Sequence, residues 1–327
     1  MARFYSNVLS LFLACLLLLV CGEVFVRLYH QLFYGVPFFQ SHRIQEDQKL
    51  GWKGKQIFGD SMSKKLKIFI VGDSFTHGVG VKEDKMYYEI LKRDLNAELF
   101  VYGAYGYGTL QEYMVIDKYF NEIKPDLVIL QVSNNDFINN HWELERRSLR
   151  NNNFHIRPYL LKNHIEYRFP KLWESYLVSF FSDSKFVLTF LFKTQQLLSM
   201  LSEKGFLPSI EDTIRKEGLN FVPFKESVET TEELMRKIKN RIENRFFVAF
   251  IVDQVEPSFN EFKKIFDRNG ISFIDSIPAA ISRVQSAEHN LLFSDQNHWN
   301  ENGHSLAGAL LANELKQLTL LPFQKRI

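Results

Sequence analysis

The body of this chain has no cysteine: Cys15 and Cys21, the two it carries, both fall in the first stretch. That excludes a disulfide framework, a cysteine nucleophile and a thiolate metal site from the folded part. It does not fix the compartment, because many periplasmic domains have no disulfide. A strong charge of one sign is also missing. The formal net charge of +2 argues against a basic nucleic-acid surface, and no zinc-finger or RNA-binding signature appears, so no nucleic-acid partner is expected. The nine histidines include no HExxH or i,i+4 pair, so no metal is expected. "GAYGYG" lacks both the Gly-x-Gly-x-x-Gly spacing and a following acidic ribose partner, so no cofactor is expected either. No internal repeat or low-complexity tract stands out.

What is present suits a folded body of ordinary composition. The 327 residues are 46% hydrophobic and 24% charged, room for one large domain, or for one domain with a sizeable insertion. The aromatic share is 15%, with 31 phenylalanines, which fits a broad core or an apolar pocket.

The opening stretch is different. "YSNVLSLFLACLLLLVCG" (5–22) carries no charge and is about long enough to cross a bilayer as a helix. Glu23 and Arg27 close it as an i,i+4 pair, and "VFVRLY" continues the helical pattern. A cleaved signal peptide with Arg3 as its basic end is the rival. However, "LVCGE" is a poor small-x-small cleavage site, and valine before Cys21 makes a weak lipoprotein site. An uncleaved anchor over 1–29 is expected. Charge counting leaves its orientation open, with Arg3 on one side and Arg27 and Arg43 on the other.

Residues 30–65 read as a polar, irregular tether and lead-in, and a strand–helix alternation follows over 66–320. Strands are expected at "LKIFIVGD" (66–73), "AELFVYG" (97–103), "PDLVILQV" (125–132), "FFVAFIVD" (246–253) and "ISFID" (271–275). Helices are expected over 83–95, 109–123, 231–245, 259–270 and 301–318. Near-continuous apolar strands between helices imply an α/β fold, with a parallel sheet covered on both faces. An insertion at about 138–225 interrupts the pattern. It holds a hairpin over 155–169, turning at Lys162–His164, and one or two aromatic-rich helices over 172–201. Those helices form a cap on the pocket, a face against the bilayer, or plain packing onto the body.

The chemistry gathers after the strand ends. Ser74, in "VGDSFTHG", falls where a parallel strand gives way to a helix, the place where reacting groups collect in open α/β sheets. A serine there is more often a helix cap than a nucleophile, and its hydroxyl needs a base. "LLFSDQNHWNENGH" supplies one: Asp295 and His298 stand three apart, so the carboxylate can hold Nδ1–H and leave Nε2 to accept a proton. His304 reads as a surface or packing histidine. "YGAYGYGT" (102–109) offers Gly106 as an oxyanion donor, while Gly103 and Gly108 read equally well as turns needing positive φ. In "QVSNNDF" (131–137), Asn135 offers its side-chain amide and Asp136 braces the loop.

These four blocks resemble the SGNH/GDSL hydrolase superfamily, in this order: "GDSFTHG", "GAYGYGT", "SNND" and "DQNHWN". The match runs from about 66 to 316, the insertion aside. "LGWKG" and "RPYL" are also similar to its membrane-anchored bacterial members. Two positions depart from the pattern: Ser133 stands where glycine is usual, and Val101 where asparagine is frequent. The resemblance implies a flavodoxin-like three-layer α/β/α sandwich behind one transmembrane helix. It implies Ser74 as nucleophile, His298 as base and then acid, and Asp295 as the group that orients the imidazole. The oxyanion would be held by the N–H groups of Ser74 and Gly106 and by the Asn135 amide. The Gly-x-Ser-x-Gly elbow is absent, since Thr76 stands at the second glycine, which argues against the α/β-hydrolase architecture.

The expected activity is hydrolysis of acyl or acetyl esters of a carbohydrate or lipid by a membrane-tethered, extracytoplasmic domain. An acetyltransferase acting on extracytoplasmic polysaccharide with the same triad is the alternative. A non-catalytic binding protein that keeps the fold is a third reading.

Overall fold

The structure is a computed structural model describing residues 1–34, 37–39, 45–78, 80–151, 154–162, 164–285, 290–293 and 297–323. Its centre is a six-stranded sheet. In spatial order the strands are Ser272–Ile274, Phe246–Ile251, Leu127–Val132, Lys67–Gly72, Glu98–Gly103 and Lys55–Phe58. The first five are parallel neighbours. The five expected strands form that parallel sheet, and one further strand, Lys55–Phe58, is added at its edge, antiparallel to Glu98–Gly103. That strand lies in the stretch read as irregular tether. Its four residues carry too little apolar signal to announce it, and its partner lies some forty residues downstream.

The apolar runs are near-continuous because each strand is covered on both sides. Along Lys67–Gly72, Ile68 and Ile70 enter one core cluster, while Phe69 and Val71 enter the other. Leu127–Val132 and Phe246–Ile251 divide in the same way, as alternating side chains on a doubly covered strand must. Helices Thr109–Ile123, Val222–Ile242 and Ser258–Asn269 cover one face. Tyr87–Asp94, Ser276–Val284 and Glu301–Phe323 cover the other. The fold is a three-layer α/β/α sandwich with the flavodoxin-like strand order.

One helix departs from expectation: Val222–Ile242 starts well before 231, with Pro223 in its first turn. A further helix, Ser276–Val284, carries Pro278 in its first turn, where no N–H partner is lost.

The insertion carries the expected hairpin, Arg157–Leu161 against His164–Arg168, and helices Leu172–Phe180, Lys185–Glu203 and Ile210–Glu217. The chain opens with one helix, Ala2–Tyr34, whose Phe4–Phe33 stretch is long and apolar enough to cross a membrane. A polar clamp joins this helix to the insertion. Glu23 accepts hydrogen bonds from Ser184 Oγ at 2.8 Å, Lys185 N at 3.0 Å and Phe186 N at 2.9 Å. It thereby satisfies backbone donors that the start of helix Lys185–Glu203 leaves open. Arg27 reaches the carbonyls of Phe38 and Asp183, both at 2.7 Å.

Candidate active site

Strand order reverses between Lys67–Gly72 and Leu127–Val132, and the crevice beyond their carboxyl ends is where such sheets hold ligands. Ser74 opens the short helix Ser74–His77 there, with Asp73 as its N-cap: Asp73 Oδ1 accepts from Phe75 N at 3.0 Å. The capping is thus done by the neighbour, and the Ser74 hydroxyl is left to point elsewhere. It meets His298 Nε2 at 2.9 Å. The two residues are 224 positions apart in the chain.

Several contacts fix the histidine. Its ring packs on Phe75, centroids 5.1 Å apart, and Trp299 packs edge-on against the same Phe75 at 5.0 Å. Phe293 N donates to the His298 carbonyl at 2.9 Å, and Leu292 bridges Trp299. Asp295 lies outside the described residues. His304, one helical turn into Glu301–Phe323, is buried, stacked on Tyr87 and edge-on to Trp299. Burial, with the nearby Lys55 and His298 charges, pushes its imidazole down to about 3. It is a packing histidine.

The base of the site is a buried hydrogen-bonded network. Gln131 Oε1 accepts from Asp73 N at 3.0 Å and Thr76 Oγ1 at 2.9 Å, and Thr76 Oγ1 also meets Tyr87 OH at 2.9 Å. Ser133 Oγ bridges Asp73 Oδ2, at 2.8 Å, and Asn135 Oδ1. The serine at the position where the resembling family has glycine therefore turns the Asn135 carbonyl oxygen inward and its NH₂ group outward. Asn135 Nδ2 donates one hydrogen to Asn139 Oδ1 at 2.9 Å and has the other for the cavity.

Gly106 has φ of +62°, the left-handed region that glycine adopts without strain. Gly103 and Gly108 do not share it, so the reading of those two as positive-φ turns is corrected. Gly103 is a close approach instead: a Cβ there would stand 2.3 Å from His77 N. Arg157, almost fully buried, holds the Gly106 loop by donating from Nη2 to the Gly106 carbonyl at 2.8 Å. Glu145 pairs with the same guanidinium at 2.7 Å and accepts from Tyr159 OH at 2.9 Å.

Ser74, Gly106, Asn135, Arg150, Asn297 and His298 face one cavity of about 210 Å³. Asp253, just beyond the Phe246–Ile251 strand, lines it too. Its carboxylate accepts from Asn134 N at 3.1 Å. Burial raises this carboxyl, the Asn134 N–H opposes that, and the Asp73 charge adds to it, leaving it at about 7. Sequence reading passed over Asp253 and Arg157. The signal for the first was present, since "FFVAFIVD" ends in an acid just as "KIFIVGD" does. Asp136, expected to brace its loop, accepts from Ser133 N at 3.2 Å.

No family model and no curated protein matches the chain. Among solved structures it is similar to a lipolytic protein of the G-D-S-L family from Veillonella parvula. Identity there is 12%, coverage 74% of this chain and 94% of that one, and the TM-score 0.41. The psychrotrophic esterase EstA from Pseudoalteromonas sp. is 11% identical, with 77% and 98% covered and a TM-score of 0.42. A family 3 carbohydrate esterase from Clostridium thermocellum is 15% identical, with 78% and 97% covered and a TM-score of 0.43.

Proposed function

We propose that this chain is a serine ester hydrolase of the SGNH/GDSL type. One observation carries the reading: Ser74 Oγ and His298 Nε2, remote in sequence, stand 2.9 Å apart at the cavity floor.

In this account Ser74 Oγ attacks the ester carbonyl carbon while its proton passes to His298 Nε2. The negative charge that forms on the carbonyl oxygen is met by the N–H groups of Ser74 and Gly106 and by Asn135 Nδ2. The tetrahedral adduct collapses, the bond from carbon to the alcohol oxygen breaks, and His298 returns its proton to that oxygen. Water then attacks the acyl-enzyme by the same route in reverse, releasing the acid and restoring the serine. Asp295 has the role of holding the imidazole by Nδ1–H.

The first helix belongs to this reading as a retained anchor, with the catalytic body extracytoplasmic. The Glu23 and Arg27 contacts to 183–186 dock the end of this helix on the insertion.

The test is turnover of p-nitrophenyl acetate by the full chain. Wild type is expected to hydrolyse it, and Ser74→Ala and His298→Ala to lose about 10³-fold or more in kcat. Equal turnover by wild type and Ser74→Ala would remove the proposal.

A further inference from the structure

Two further cavities flank the Ser74 cavity, and they differ in chemistry. One, of about 580 Å³, is lined mainly by rings, among them Trp52, His77, Tyr105, His155 and Phe192. It meets the Ser74 cavity at Tyr105, the residue before Gly106. The other, of about 410 Å³, is polar and shares Asn134, Arg150, Asn151 and Asn297 with the Ser74 cavity.

We infer that the ester taken at this site joins an aliphatic acyl chain to a polyhydroxyl alcohol, with the chain in the Trp52–Phe192 cavity and the alcohol in the Arg150–Glu211 cleft. This rests on the ester-hydrolase reading and gives it a substrate class.

Direction follows from the proton transfer. His298 returns its proton to the leaving alcohol oxygen, so the alcohol departs on the imidazole side. Asn297, the residue before His298, lines the polar cleft. The acyl group is held from the oxyanion side, where Gly106 continues back to Tyr105 and the ring-lined cavity.

Each cavity is built for its half. The ring-lined one has a fixed wall: Trp52 Nε1 donates to the Tyr105 carbonyl at 3.2 Å, and the Trp52 ring packs 5.7 Å from His155. Its volume lies within the range of small-molecule pockets. Phe192 sits on the helix that Glu23 clamps to the first helix, so the chain-binding wall is fastened to the apolar segment. Arg150 and Glu211 both line the polar cleft, a donor and an acceptor of the kind that adjacent hydroxyls satisfy. Two arginines, Arg150 and Arg215, and three glutamates, Glu203, Glu211 and Glu256, share the lining. That balance disfavours a phosphate and suits a neutral polyol.

The experiment uses the full chain in lipid nanodiscs with four esters: 6-O-acetyl-, 6-O-butyryl- and 6-O-octanoylglucose, and ethyl octanoate. A buried methylene is worth about fourfold at most. The expected kcat/KM for octanoylglucose is therefore about tenfold or more above acetylglucose, and about tenfold or more above ethyl octanoate. Phe192→Asp, with Phe192→Ala as the milder variant, is expected to bring the octanoyl-to-acetyl ratio towards one. Glu211→Gln is expected to do the same to the glucose-to-ethyl ratio. A fluorophosphonate adduct at Ser74 together with flat ratios, a preference for acetate or for the ethyl ester, or no turnover of any of the four would overturn this inference and leave the hydrolase reading standing. Absence of both adduct and turnover would overturn the two together.

Discussion

Arg157 Nη2 donates a hydrogen bond to the Gly106 carbonyl at 2.8 Å, so the insertion hairpin grips the loop that carries the proposed oxyanion donor. A carbonyl held on one side of a peptide plane fixes where the neighbouring N–H groups point. The guanidinium is itself held by Glu145 at 2.7 Å, and a buried pair of this kind cannot lose one member cheaply.

Arg157→Lys keeps the charge but loses the planar fork that reaches Glu145 and Gly106 together. One oxyanion donor contributes about 10²–10³ in kcat, so partial misplacement is expected to cost about tenfold or more in kcat with KM much less affected. Steady-state kinetics alongside a melting curve separate this from general loosening. A fall in thermal stability with kcat unchanged would contradict the positioning role.

Asp253 predicts a pH effect. Its carboxyl lies at about 7, raised chiefly by burial. As pH rises through that value the cavity in which the proposed oxyanion would form gains a negative charge, and turnover is expected to suffer. In Asp253→Asn that loss is absent, so its kcat/KM measured at about pH 8.5 relative to about pH 6 is expected to exceed the wild-type ratio several-fold. Identical profiles would contradict it. Stability has the same sign. The folded state holds this proton longer than the unfolded chain does, so stability falls as pH climbs from 3.8 towards about 7.

Much of this arrangement is legible in the residues, and the remainder has a common cause. The strands declare themselves because both faces are buried, leaving runs such as "KIFIVG" and "LVILQV" without polar interruption. Ser74, Gly106, Asn135 and His298 are legible because each follows a strand end or opens a helix. The structure brings all four to one cavity. The edge strand Lys55–Phe58 and the Arg157 grip are not legible, since each is defined by a partner far away in the chain. Local pattern cannot register a contact whose other half is remote.

Glu112 provides a stability test away from the reacting atoms. It is fully buried, and neither carboxyl oxygen has a hydrogen-bond partner among the described residues. Burial, then the charges of Asp136 and Asp73, hold its carboxyl well above the ordinary 4.5. Its contribution is therefore intact below 4.5 and is lost as pH rises towards the raised value. Glu112→Gln is expected to be neutral to stabilising by about 1–3 kcal/mol at alkaline pH. Its melting temperature should fall less steeply with pH than that of wild type. A variant that melts earlier than wild type at every pH would show that the carboxyl has a structural role.

The most direct measurement on the central claim is mass spectrometry of the full chain after exposure to a fluorophosphonate. The account predicts a single adduct mapped to Ser74, formed at least about 10²-fold more slowly in His298→Ala because the hydroxyl has lost its base. An unlabelled wild-type chain, or an adduct on another serine with Ser74 intact, would contradict it.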